Sequence, residues 1–257
     1  MPADGAARAG SQLLAAAALG LMAVQAWLGP QAAWQWRAGV AGAAVLLAVL
    51  GARAVASARS IAALVAMLCV ANATGVLWQV VLLVVLVAFS LLQRWLPELA
   101  PSAAWRARGT LPFGATALVG LVTPLALVGW LRLLRPDLHD LLDAYVPALP
   151  LPLLLLGAVA FVAVNALGEE LVWRGLLQDR LCSLMGVRAA VLLQALSFGL
   201  QHAHGFPRGP VGIALVAIWG VMLGWLRERA HGLLAPLLAH VVADTTIAIV
   251  VLFVLRA

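Results

Sequence analysis

The 257-residue sequence contains no lysine, one tyrosine, two cysteines and only 10% charged residues. Soluble domains run at about 25% charged and about 45–50% apolar, whereas this chain is 65% hydrophobic. Its length would allow a sizeable core, but the charge needed to cover that core in water is missing. High hydrophobicity also excludes intrinsic disorder. Cys69 and Cys182 lie far apart in apolar surroundings, which excludes a disulfide scaffold and a C-x-x-C motif. They read as small hydrophobes. All sixteen basic residues are arginines, and no basic run carries interleaved aromatics. Phosphate neutralisation needs clustered charge, so the net charge of +6 marks membrane borders and headgroup contact. Nucleic acid is excluded as a partner.

What the sequence does have is long apolar blocks, at a mean hydropathy of +1.06. A membrane span needs roughly 20 such residues. Blocks lie at 13–28, 38–58, 60–93, 110–131, 146–167, 189–203, 210–226 and 233–255. The first is a span or signal anchor, because Gln25, Trp27 and Trp34 make a poor cleavage site. The 60–93 run is long for one span and short for two, with a break available at Asn72-Ala73-Thr74-Gly75. The expected fold is all-α, a polytopic integral membrane bundle of about eight helices, or nine if that run is double. The stretch 132–145, with Asp137, Asp140 and Asp143, reads as an interfacial helix or loop. Arginines at 94/106/108, 174/180/188 and 227/229 mark one face, cytoplasmic by the positive-inside rule. No soluble domain, linker or internal repeat is visible. Residues 1–140 are N-terminal membrane helices of uncertain role, and 141–257 form the core that carries chemistry.

Ionisable groups within spans cost about 2.5–3.5 kcal/mol each on insertion scales and default to functional hypotheses. Three sets occur: Glu169-Glu170 with Arg174, closing the 146–167 span; Phe198 with His202, followed by His204; and His240 with Asp244. Neighbours on a helix diverge by about 100°, so Glu169 and Glu170 are not expected to face one point. Glu170 and Arg174 have the favoured i, i+4 ion-pair order, which leaves Glu169 unpaired within its helix. His240 and Asp244 share a face. One carboxylate and two imidazoles from three helices can therefore converge in a cavity.

That set suits water chemistry. Glu169 is the candidate general base, His202 can share the proton or hold the water, and His240 with Asp244 can stabilise an oxyanion. No serine or cysteine with an adjacent base suggests covalent catalysis. Glu169, His202 and His240 are also a zinc-type set, although H-E-x-x-H is absent. Two non-enzymatic readings compete. One is an immunity or scaffold protein that keeps the cluster for stability. The other is a proton-coupled transporter using Asp244 and Glu169, with Pro236 interrupting the last span.

The ordered trio E-E-x-x-x-R, F-x-x-x-H and H-x-x-x-(N/D) over about 145–250 resembles the CAAX-protease and bacteriocin-processing (CPBP, Abi) family of intramembrane glutamic-type proteases. That family includes a bacterial myxosortase branch. The resemblance implies a fold of roughly eight spans with a conical cavity open to the membrane, and water activated by Glu169 with His202. It places the oxyanion site at His240 and Asp244, supported by Glu170, Arg174 and Phe198. The family has been described both as metalloproteases and as metal-independent, so zinc stays open as a cofactor. Asp244 stands where Asn is commoner, and an ionised Asp cannot donate to an oxyanion, so it is protonated or it orients His240. The implied substrate is a membrane-anchored protein or peptide cleaved near its C-terminus. The lysine-free, Ala- and Arg-rich composition points to a bacterial cytoplasmic (inner) membrane.

Overall fold

The computed structural model describes residues 2–100, 108–139, 142–143 and 146–255, with side chains from Gly5 onward. Nine principal helices occur among them and no strand: α1 (Pro2–Leu28), α2 (Trp34–Leu50), α3 (Ala56–Ala73), α4 (Trp78–Trp95), α5 (Phe113–Leu134), α6 (Leu151–Met185), α7 (Val187–Gln201), α8 (Gly209–Ala230) and α9 (Leu234–Leu255). Eight of these are long and apolar enough to cross a membrane; α7, with 15 residues, is shorter. The chain is an integral, multi-pass membrane protein.

The charge-free run 60–93 is double. It breaks at the expected place, where Thr74 Oγ1 is 2.6 Å from the Ala71 carbonyl and Gly75 takes φ +75°. Glycine enters that left-handed region without the Cβ penalty other residues meet. Other expectations need correcting. The acidic pair does not close its span: α6 starts at Leu151, after Pro150, and runs on unbroken to Met185. Arg174 is therefore no border residue but lies fully buried inside the bundle. Pro236 sits in the first turn of α9, where proline costs no helical hydrogen bond, so the last span is not interrupted. Of the stretch 132–145, Arg132 belongs to α5, while Asp140 and Tyr145 lie outside the described residues, as do Pro101 and Arg106 at the 94–108 border.

Two apolar clusters flank the middle of α6. One joins α1–α4 to Val172, Trp173, Leu176 and Leu177; the other joins Val119 of α5, Leu223 and Leu226 of α8 and Ala235 and Ala239 of α9. Helices α7 and α8 pack closely because small residues meet. A Cβ on Gly220 would lie 3.0 Å from Ala195 Cα, and one on Gly199 only 2.6 Å from the Ile213 carbonyl oxygen. Small residues let membrane helices approach where no hydrophobic drive operates between them.

The two ends of the bundle differ in charge. At one end Arg8 Nη2 donates to the Leu184 carbonyl (3.4 Å), the Ser57 and Ser183 hydroxyls meet (2.7 Å), and Arg59 pairs with Glu98 (3.2 Å). Arg53, Arg94, Arg108, Arg180, Arg188, Arg227 and Arg229 adjoin helix ends on this side. At the other end His204 Nε2 lies 3.0 Å from the Trp27 carbonyl and Trp130 meets Phe206 edge-on; among the described residues Arg37, Arg132, Arg135 and Arg208 are the arginines adjoining that side.

Candidate active site

The middle of α6 departs from α geometry. Residues Glu170–Leu177 form a π-helical stretch, a distortion that recurs at functional sites. Every residue from Val172 to Asp179 is buried, so the stretch holds its polar side chains inside the bundle. Glu169, Glu170 and Arg174 are 4%, 1% and 0% exposed, and His240 and Asp244 on α9 are 1% and 3%. Charge so deep must be paired or hydrogen-bonded, and here it is.

His240 is the hub. Its Nδ1 lies 2.7 Å from Glu170 Oε1, and its Nε2 lies 3.4 Å from Glu169 Oε2 and 3.7 Å from Asp244 Oδ1. The expected divergence of Glu169 and Glu170 is thus corrected: they flank one imidazole, each on its own ring nitrogen. Glu170 does pair with Arg174, as the spacing implies, at 2.9 Å, but the same oxygen also meets His240. The Glu169–His240 approach is an ion-pair contact rather than an aligned hydrogen bond, so Glu169 Oε2 keeps a lone pair uncommitted.

Phe198 organises the aromatic side of the cluster. Its ring centroid lies 5.0 Å from His202, 6.1 Å from His240 and 5.3 Å from Trp173. The Arg174 guanidinium sits 4.4 Å over the same ring, a cation–π contact strengthened by exclusion of water. His202 caps the end of α7 with Nδ1 3.1 Å from the Phe198 carbonyl. A proton on Nδ1 serves that carbonyl and leaves Nε2 as an acceptor. His202 and Glu169 are near enough to interact electrostatically. His204, two residues on, turns away to Trp27.

The structure therefore brings Glu169, Glu170, Arg174, Phe198, His202, His240 and Asp244 together from α6, α7 and α9. It adds three residues that the motifs do not include. Trp78, the first residue of α4, donates its indole N–H to Glu169 Oε1 at 2.6 Å. Asn165 Nδ2 donates to Asp244 Oδ2 at 3.1 Å, and Gln79 Nε2 donates to Asn165 Oδ1 at 3.2 Å. Asn165 had a visible signal: it is the only hydrogen-bonding side chain in the apolar run 151–167, one turn before Glu169. Trp78 and Gln79 had none, because their partner is 91 or 86 residues away.

The zinc set Glu169, His202 and His240 does not fit this arrangement. A ligating imidazole presents an unprotonated nitrogen to the metal, yet both nitrogens of His240 face carboxylate oxygens. Among the described residues, no three His, Cys, Asp or Glu side chains are placed to hold a metal ion.

Residues 151–246 match the model of the Rce1-like family, type II CAAX prenyl endopeptidase Rce1-like. The matched segment runs from the first residue of α6 to just beyond Asp244 and contains every residue of the cluster contributed by α6, α7 and α9. No curated protein and no solved structure matches the chain.

Proposed function

We propose that this chain, Rce1-like from Leu151 to Thr246, is an intramembrane endopeptidase that hydrolyses a membrane-anchored protein near its C-terminus through water activated by Glu169. The observation that carries the reading is the buried contact of Glu169 with His240 from two helices, with half-buried His202 of a third helix near enough to interact electrostatically with Glu169. Trp78 fixes Glu169 Oε1, so Oε2, which lies 3.4 Å from His240 Nε2, is the atom that takes a proton from water. His202 Nε2 accepts from the same water and orients it. The hydroxide adds to the scissile carbonyl carbon, and negative charge passes to the carbonyl oxygen. When the C–N bond breaks, the proton held by Glu169 moves to the departing nitrogen, giving a new carboxylic acid and a new amine, which then exchange a proton to leave as carboxylate and ammonium.

The Glu170–Arg174–His240 chain holds the α6 and α9 parts in register. Preorganised groups of this kind cost no reorganisation during reaction. Towards the arginine-rich end, α6 is sealed by the buried run Val172–Asp179, whereas Trp78, Gln79, His202 and Ala203 on the opposite side are half-buried. Water and substrate reach Glu169 from that opposite side or laterally from lipid. By the positive-inside rule the arginine-rich end, with the N-terminus, faces the cytoplasm of a bacterial inner membrane.

The test is purified full-length protein in detergent with a lipid-anchored tail peptide, the products identified by mass. Glu169→Ala and His202→Ala abolish cleavage while both variants stay folded. Full activity in both removes the mechanism.

A further inference from the structure

Arg94, in the last turn of α4, stands without an acidic partner. The nearest acid along the chain, Glu98, is taken by Arg59 at 3.2 Å. Among the described residues Arg94 makes no ion pair or hydrogen bond, and its side chain is exposed. With Leu86, Val87, Ser90 and Leu91 it lines a groove of about 300 Å³. These positions recur every three or four residues, so they share one face of the helix. Val87 and Leu91 are 59% and 49% exposed, so the groove opens outward to lipid and runs about 12 Å along the axis.

We infer that this groove binds one anionic phospholipid of the leaflet at the arginine-rich end. Its phosphate sits on Arg94, its glycerol ester on Ser90, and an acyl chain lies along Leu86, Val87 and Leu91. The inference is independent of the peptidase reading. A guanidinium fork matches two phosphate oxygens, and the cytoplasmic leaflet carries the anionic lipids. Trp95, next to Arg94 and 84% exposed, has the amphipathic ring that settles at headgroup level. Ser90 lies one turn, about 5.4 Å, deeper than Arg94. Its hydroxyl makes no hydrogen bond among the described residues, so it is free to donate to an ester carbonyl. Free phosphate would use the arginine but not the apolar floor. A second copy of the chain, docked by the usual two-fold contact, would bring Arg94 towards its own counterpart.

The test titrates full-length protein in neutral detergent with phosphatidylglycerol or phosphatidylcholine and counts bound lipid by native mass spectrometry. Wild type should retain one phosphatidylglycerol and prefer it to phosphatidylcholine. Arg94→Gln should weaken phosphatidylglycerol about five-fold, the equivalent of about 1 kcal/mol for one arginine at an anionic surface, and erase the preference. Leu91→Trp, which fills the groove, should weaken both lipids. Arg188→Gln removes an exposed arginine of the same end outside the groove and should change neither. All three side chains are exposed, so each variant should melt with wild type. Equal affinity for the two lipids, or an Arg94→Gln that keeps the preference, overturns the inference. So does a Leu91→Trp that binds lipid like wild type. Inorganic phosphate binding as tightly as the lipid would make the site one for a free anion. A dimer that Leu91→Trp dissociates would make it a contact between copies, and either result also overturns the lipid assignment.

Discussion

His240 Nδ1 and Glu170 Oε1 lie 2.7 Å apart, and the same carboxylate oxygen holds Arg174 at 2.9 Å. Glu170 is thus shared between a guanidinium on its own helix and an imidazole on α9. Removing Arg174 leaves a buried carboxylate without its cation, a change that costs about 3–5 kcal/mol when a buried pair is broken. Arg174→Ala should therefore unfold at markedly lower temperature in detergent, as read by tryptophan fluorescence.

Trp78 reaches Glu169 from a different part of the chain. Trp78→Phe keeps most of the ring and deletes the indole donor to Oε1. We expect kcat to fall by about ten-fold, equivalent to one hydrogen bond to a charged group, with the melting point close to wild type. A steady-state comparison on one tail peptide measures it.

Close packing of α7 on α8 leaves no room at Gly199, where a Cβ would meet a backbone carbonyl at 2.6 Å. Gly199→Ala should destabilise by about 1–3 kcal/mol, the usual range for overpacking. The same change at Gly114, where nothing lies within 4 Å, should be tolerated. Thermal unfolding of the two variants side by side checks the contrast.

Both ring nitrogens of His240 face carboxylate oxygens, an arrangement unlike that of a metal-ligating imidazole. Cleavage should survive treatment with a strong zinc chelator without loss, and metal analysis of the purified active protein should find less than one zinc ion per chain.

Splitting of the 60–93 run fixes the number of crossings before α5. Val76, 48% exposed in the α3–α4 turn, and Glu98, just beyond α4, should lie on opposite sides of the membrane. In intact cells an impermeant maleimide should label Val76→Cys and spare Glu98→Cys until the cells are opened.

Much of this was legible in the sequence because charge is scarce in it. Glu169, Glu170, Arg174, His240 and Asp244 stood out against apolar spans, and their i, i+4 spacing correctly joined Glu170 to Arg174. The break at 72–75 was readable from Asn, Thr and Gly. Helical periodicity misled for the acidic pair: neighbours diverge on a helix, yet one imidazole with a nitrogen on each side meets both Glu169 and Glu170. The extension of α6 beyond the acidic pair was hidden because buried charge looks like a border when only composition is read. Trp78, Gln79 and the role of Asn165 depend on contacts between distant segments, which no local pattern encodes.

The shortness of α7 has a consequence for the membrane itself. Fifteen residues rise about 22 Å, while the hydrocarbon layer is about 30 Å thick. A helix that starts beside Arg188 at one interface therefore ends well below the opposite headgroups, and the turn that carries His202 lies there with it. A helix of that length brings a polar turn and an imidazole to a depth that a full-length span would fill with apolar side chains.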